Sequence, residues 1–195
     1  MQLERARLGE ASRVLARAFF DDPAWTWILP SARRRARTLH GLFRTAIAVT
    51  MAGGRVDTTA GEVRGLALWI PPGDALLAVN RAAARSLLTV PLRLRSAFPR
   101  FRAYTEWNYD LQRRAYPGPS LFLSGLGVDP AHQRQGIGGA LVEAGLAREP
   151  AATAVLLTNN ERNIGFYRGH GFETVLAEPM PGGGPMTWAM LRKPG

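Results

Sequence analysis

Leu121-Phe122-Leu123-Ser124-Gly125-Leu126-Gly127-Val128, then Asp129-Pro130, then Gln133-Arg134-Gln135-Gly136-Ile137-Gly138-Gly139, is the stretch that decides how this chain folds. Residues 121–128 are mostly apolar and of strand length. Asp129-Pro130 ends the strand, because proline has no N–H to give to a sheet ladder. From Gln135 onward Ile137, Ala140, Leu141 and Ala144 recur at helical spacing, which places the glycines in the first turn of a helix. The N–H groups of a first turn have no internal partner and carry a partial positive charge. With Gly136, Gly138 and Gly139 there, no side chain keeps an anion from those donors, and Arg134 adds a full charge beside them. Such a site suits a phosphate or diphosphate.

A short apolar strand, Ala154 to Thr158, follows the helix, and Asn160, Asn163, Phe166-Tyr167 and Gly171-Phe172 follow the strand. On these residues the chain resembles the GCN5-related N-acetyltransferases, the GNAT family. Gln133-Arg134-Gln135-Gly136-Ile137-Gly138 matches the family signature (Gln/Arg)-x-x-Gly-x-(Gly/Ala), and Val128-Asp129-Pro130 precedes it as in many members. The later residues match the second motif, Asn-x-x-Ala-x-x-(Leu/Phe)-Tyr-x-x-x-Gly-Phe, with Asn163 in place of the alanine. The resemblance implies an α+β fold, with a central, mostly antiparallel, twisted sheet of about six or seven strands flanked by helices. In that fold the sheet splays between its fourth and fifth strands to admit acetyl-CoA. The diphosphate sits on the glycine turn, and the pantetheine arm pairs with the fourth strand. Carried over, the cofactor contacts are Leu126, Val128, Gln133, Arg134, Gln135, Gly136, Ile137, Gly138, Gly139, Asn160, Asn163 and Phe166, mostly through backbone N–H groups. Tyr167 matches the position that protonates the departing thiolate.

At 195 residues and 46% hydrophobic content the chain reads as one globular domain, residues 1–195. It has no cysteine, which excludes disulfides, thiolate metal sites and a cysteine-linked acyl-enzyme. The three histidines, His40, His132 and His170, have no metal-ligand spacing, so no metal is expected. The N-terminus lacks the apolar core of a signal peptide, and no apolar run is long enough to span a membrane. A cytoplasmic protein without a membrane partner is the expectation. Net charge is +10, with 24 arginines against the single Lys193. Arg33, Arg34, Arg35 and Arg37 form one cluster and Arg81 to Arg102 another. Solvated helix faces are the expected explanation, ahead of a nucleic-acid surface.

In chain order, Leu3 to Leu8 reads as an opening strand and Gly9 to Phe20 as an amphipathic helix stopped by Asp21-Asp22-Pro23. Ala24 to Pro30 is aromatic and too short for a regular element. Ser31 caps a helix with Leu39, Leu42, Phe43, Ala46, Ile47 and Met51 on one side, closed by Gly53-Gly54. Residues 55–59 and 63–70 flank Ala60-Gly61 as a hairpin. An α-helical insertion spans 74–119. It holds an Asp74-capped helix from Ala75 to about Leu88, a proline-punctuated connection from Pro91 to Pro99, and a helix from about Arg100 to Ala115. Strands at Glu173 to Glu178 and Met186 to Leu191, around the loop Pro179 to Pro185, end the chain.

The expected chemistry is acetyl transfer from acetyl-CoA to a primary amine of a small molecule by direct attack, which needs a base, an oxyanion donor and an acid. Protein or peptide acetylation and a non-catalytic acyl-CoA sensor are the alternatives. The core strand offers only Ser124 as a polar group. Glu106, Asp21 and Asp22 are further candidates for the base, as is ordered water. The expected acceptor pocket is built from the segment around Asp22 to Trp27, the insertion around Tyr104 to Asp110 and the loop Pro179 to Pro185, with Asp22, Trp25, Trp27, Trp107 and Tyr109 as its contacts, in a monomer or homodimer.

Overall fold

The computed structural model describes residues 1–72 and 89–194. Its helices are Leu8–Ala18 (α1), Pro23–Ile28 (α2), Ala32–Gly53 (α3), Thr89–Leu94 (α4), Phe98–Ala115 (α5), Ile137–Leu146 (α6) and Arg162–Arg168 (α7). Its strands are Arg55–Thr58 (β1), Gly65–Ile70 (β2), Leu121–Val128 (β3), Ala154–Thr158 (β4), Glu173–Pro179 (β5) and Met186–Arg192 (β6). They form one sheet in the order β1-β2-β3-β4-β6-β5, antiparallel at every described pair except β3–β4.

Strand alternation divides the interior into two cores. Leu66 and Leu68 of β2 point to a core built with Val14, Leu15, Leu39, Leu42 and Ile47 of α1 and α3. Ala67 and Trp69 point the other way, to a core with Leu141, Val142 and Leu146 of α6, Leu123, Leu156 and Met190. Residues Gly65 to Trp69 are therefore buried on both faces, as in a strand covered by helices on either side. The helix α6 carries the chain from β3 to β4 and lies close on β2. An added Cβ at Gly145 would come within 2.2 Å of the Trp69 ring.

The feature that makes a site is where β3 and β4 part. They pair only at Leu121↔Ala154, Phe122↔Val155 and Leu123↔Leu156. Leu157 and Thr158 go on pairing with β6, while Ser124 to Val128 continue alongside β2 alone. A bulge marks the parting. Leu68 faces Gly125 and Trp69 faces Leu123, so Ser124 is the extra residue, and such an insertion bends and twists its strand.

Several sequence expectations change. Leu3 to Leu8 is not a strand: Gln2 forms a single bridge with Asp57, and Arg5–Arg7 is a 3-10 turn leading into α1. Strand numbers fall by one as a result, and the splay expected between the fourth and fifth strands lies between β3 and β4. Residues 24–30 hold a regular element after all, because Asp22 accepts from the N–H groups of Ala24 and Trp25 at 3.0 and 3.3 Å and Pro23 takes the first helical position. Asp21-Asp22-Pro23 both stops one helix and starts the next. Ser31 caps α3 as expected, but Ala46 is exposed. The proline-punctuated connection contains α4 and a 3-10 turn, Arg95–Ala97, and α5 starts at Phe98 with Pro99 in its first turn. The helix expected from Ala75 to Leu88, with its Asp74 cap, lies outside the described residues. Arg35 leaves the solvated cluster. It is buried, and donates to the carbonyls of Phe20, Leu29 and Pro30 at 2.9–3.0 Å. Those carbonyls bracket α2, so Arg35 fixes the helix that carries Asp22.

Candidate active site

The glycine turn has the geometry its sequence predicts. Gly136 is the N-cap of α6 at φ 76°, a conformation only glycine adopts without strain, and an added Cβ there would point into open space. Arg134 is also left-handed, at φ 61°. None of the seven N–H groups from Gln133 to Gly139 donates to a described residue; the first bond of the helix runs from Ala140 N–H to the Gly136 carbonyl. Asp129 anchors the turn through the Ala131 N–H and an ion pair with Arg17 of α1. Burial alone raises its carboxyl pKa, but Arg17 and the Ala131 N–H outweigh that and hold it below the usual value. Gln133 reaches back to the Val128 carbonyl at 3.2 Å. Gly139 lies against His170 and Gly138 beside Phe166, which brings α7 to the mouth of the turn. Leu126 and Ile137 are partly buried against the second core.

Across the splay stands a polar group of side chains. The ring of Tyr167 on α7 is buried between Phe166 and Phe172, at 5.0 and 6.0 Å. Its hydroxyl bonds to no described residue and is not sealed from solvent. Tyr104 on α5 donates to Asn159 Oδ1 at 2.9 Å, and Asn159 Nδ2 donates to Thr187 Oγ1 at 2.8 Å and the Met186 carbonyl at 2.9 Å. This ties α5 to the open end of the sheet. Burial pushes the Asp22 carboxyl up to about 6, and the two backbone N–H groups it caps only partly oppose the rise. Burial and then the charge of Asp22 raise both the Tyr104 and Tyr167 phenols. Asp22 and the two tyrosines therefore share one electrostatic environment.

The other candidates have partners of their own. Trp25 packs on Phe43 and Phe101 at 5.4 and 6.1 Å, joining α2 to α3 and α5. Trp27 lies under the Arg100 guanidinium. Trp107 lies under Arg114, its indole N–H buried without a partner, and Tyr109 is half exposed beneath Arg113. Glu106 is an exposed partner of Arg102 at 3.7 Å, and Asp21 is an exposed partner of Arg35 at 3.6 Å. The Ser124 hydroxyl donates to the Leu68 carbonyl at 3.2 Å and secures the bulge. Asn160 accepts from the Arg162 N–H, a local turn at the start of α7, and Asn163 donates to Thr158 Oγ1 at 3.3 Å. Sequence reasoning assigned the segment around Tyr104 to Asp110 to the acceptor pocket without singling out Tyr104 or Asn108, and it gave Asn159 no role. The Oδ1 of Asn108, four residues on from Tyr104, is buried without a partner. A cavity of about 270 Å³ lined by Arg55, Trp69, Leu121 and Gly145 lies at the opposite end of β3 and holds none of the candidate residues.

The parted edge of β3 thus has a row of free amides at its mouth, a geometry suited to an anion. Residues 103–174, which run from α5 through the glycine turn to the start of β5, match the family model described as an acetyltransferase (GNAT) domain. Acetyl-CoA is the acyl donor the family implies. Solved structures share the fold over the whole chain. One is a Corynebacterium glutamicum protein described as histone acetyltransferase HPA2 and related acetyltransferase, at TM-score 0.71 and 22% identity over 95% of that chain. The Escherichia coli ribosomal-protein-S18-alanine N-acetyltransferase is similar at TM-score 0.56 and 18% identity over 92% of its chain. A Drosophila melanogaster polyamine N-acetyltransferase is similar at TM-score 0.62 and 12% identity, covering 98% of this chain and 97% of that one. Among the described residues no helix is long and apolar enough to cross a membrane.

Proposed function

We propose that the chain acetylates a primary amine of a small molecule by direct transfer from acetyl-CoA. The observation that carries this is the parting of β3 and β4 beside a turn whose amides are free, with Tyr104 bonded to Asn159 at the open end of the sheet and burial raising the Asp22 carboxyl to about 6. When bound, acetyl-CoA supplies an activated acyl group. The free amides from Gln133 to Gly139, with Arg134, hold its diphosphate, and the edge of β3 from Ser124 to Val128, which has no strand beside it, holds the pantetheine arm. Asp22 is ionised for most of the time at neutral pH and takes the proton that the amine nitrogen gives up as it bonds to carbon. Tyr167 stays protonated, because its pKa is raised. A thiol near 8.5 is too weak a base to strip such a phenol, so Tyr167 acts by donating a hydrogen bond to the departing sulfur rather than by losing its proton outright. Glu106 and Ser124 have no part in these steps.

The test is thiol release from acetyl-CoA against a panel of small amines and lysine- or N-terminus-bearing peptides. Release with one small-amine class, rising through about pH 6 and lost in Asp22→Asn, is the expected result. Release with peptides alone would transfer the assignment to a protein substrate. Silence across the panel with acetyl-CoA still bound in calorimetry would make the chain an acyl-CoA sensor.

A further inference from the structure

The described arginines of the two clusters, far apart in sequence, meet on one face. Arg34 of α3 donates to the Leu94 carbonyl and to Ser96 Oγ, the latter at 3.1 Å. Arg93 of α4 lies over Gly41, where an added Cβ would fall 2.2 Å from its Nη1. Arg33 and Arg34 precede Arg37 by four and three residues and Gly41 follows it by four, so each faces the side of α3 that carries Arg37. Arg34 and Arg100 also line a cavity of about 250 Å³, with Ile28, Pro30, Ser96 and Ala97. No Asp or Glu occurs from Pro23 to Val56 or from Ala75 to Thr105, so the helices that form this face bring no acid until Glu106. Apart from Arg34, which is half-buried, the six guanidinia of Arg33, Arg34, Arg37, Arg93, Arg95 and Arg100 stand on exposed side chains. None of the six makes an ion pair with a described residue.

Composition alone is equally consistent with solvated helices. Convergence on an acid-free face with a niche between two guanidinia is not required by solvation. A protein partner would look for an apolar centre, and a membrane surface for several inserting side chains. Among the described residues this face offers one large exposed apolar side chain, Leu92, 76% exposed. Charge is what the described residues of this face offer a partner, and arginine pairs with phosphate through two parallel N–H groups. We infer that the face formed by α3, α4 and the start of α5 docks the phosphate backbone of RNA, with one phosphate seated between Arg34 and Arg100. This goes beyond acetyl transfer and does not depend on it.

The experiment is fluorescence anisotropy of the full chain with a labelled, unstructured 20-nucleotide RNA between 50 and 200 mM salt. About five contacts on a single strand predict an affinity loss on the order of 100-fold over that range. Arg34→Gln with Arg100→Gln should reduce the slope of log affinity against log salt by about 1.4, at about 0.7 per contact. Arg34 also bonds the backbone, so Arg33→Gln with Arg37→Gln, which removes side chains with no recorded partner, is the second pair. It should lower the slope by the same amount and leave acetyl-CoA affinity unchanged. No RNA binding at 50 mM salt, or a slope that neither pair alters, overturns the inference. So does binding to phosphatidylserine vesicles without binding to RNA, which would assign the face to a membrane surface.

Discussion

Replacing Asp22 by Asn should stabilise the fold at neutral pH while removing activity. The Asp22 carboxyl has an ordinary value of 3.8 and stands at about 6 in the folded chain. Because the value is raised, the folded protein holds this proton more tightly than the unfolded chain between those pH values. Wild-type stability therefore falls as pH rises from about 4 through 6, and the loss is complete above that. At about 1.4 kcal/mol per pH unit, the difference comes to about 3 kcal/mol at pH 8. Asn cannot ionise, yet its carbonyl can still accept from the Ala24 and Trp25 N–H groups, and Asn is as good a helix cap as Asp. Urea unfolding of both proteins should show the variant more stable by about 3 kcal/mol at pH 8 and by under about 1 kcal/mol at pH 4. The corresponding rise in melting temperature at pH 8 is roughly 6 to 12 °C for a chain of this size. A stability difference that stays constant across that range would refute the burial argument, and with it the placement of Asp22 as the base.

Tyr167→Phe should lower kcat about 100-fold with acetyl-CoA affinity unchanged, since the lost group is one donor to the leaving sulfur; steady-state kinetics and calorimetry check both. Its melting temperature should not fall, because the hydroxyl bonds to no described residue. Gly136→Ala places a side chain at φ 76°, which costs about 1–2 kcal/mol of stability in urea; the acetyl-CoA Kd should rise more than about tenfold, beyond what that strain explains. Asp57→Asn acts elsewhere. Asp57 is fully buried between Arg55 at 2.9 Å and Arg148 at 2.7 Å, so removing its charge should cost about 3–5 kcal/mol by thermal or urea unfolding. The acetyl-CoA affinity of the folded fraction should be unaffected.

The cofactor side was legible because local rules write it. A run of apolar residues, an Asp-Pro stop and glycines at a helix start each act within a few residues, so spacing alone places them. The acceptor side depends on contacts between residues 22, 104 and 159, which no local pattern connects. Tyr104 stands in an aromatic series with Phe101, Trp107 and Leu111, and helical spacing predicts it for packing; its ring does pack, and its hydroxyl crosses to Asn159. Asn159 precedes the motif asparagine and lends itself to neglect, yet it is the one that is buried. Trp25 and Trp27 suit a pocket wall by type, but a six-residue helix needs its large apolar side chains to hold it to α3 and α5. Asp22 was visible as a stop for α1 and hidden as a cap for α2, because the same Asp-Pro pair signals both.

The burial that destabilises Asp22 also determines what it can do. A free alkylamine near 10.4 and a carboxyl near 6 differ by about four pH units, so moving the proton before attack would be uphill by about 6 kcal/mol. An unburied aspartate at 3.8 would raise that to about 9 kcal/mol. The nitrogen becomes far more acidic once it shares its lone pair with carbon, and a base near 6 can then take the proton downhill while remaining ionised at pH 7. Asp22→Glu tests this directly. The longer side chain reaches further from its cap, so more of it meets water, and its pKa should relax toward the glutamate value of 4.5. The stability change should follow the pKa with the same sign as in Asp22→Asn but smaller. The acid limb of the kcat/KM profile should move down with the pKa, and the plateau rate should fall because a weaker base is positioned less well. A variant whose acid limb stays at about pH 6 would show that the limb belongs to another group, and the base would then have to be sought in water held by Tyr104 and Asn159.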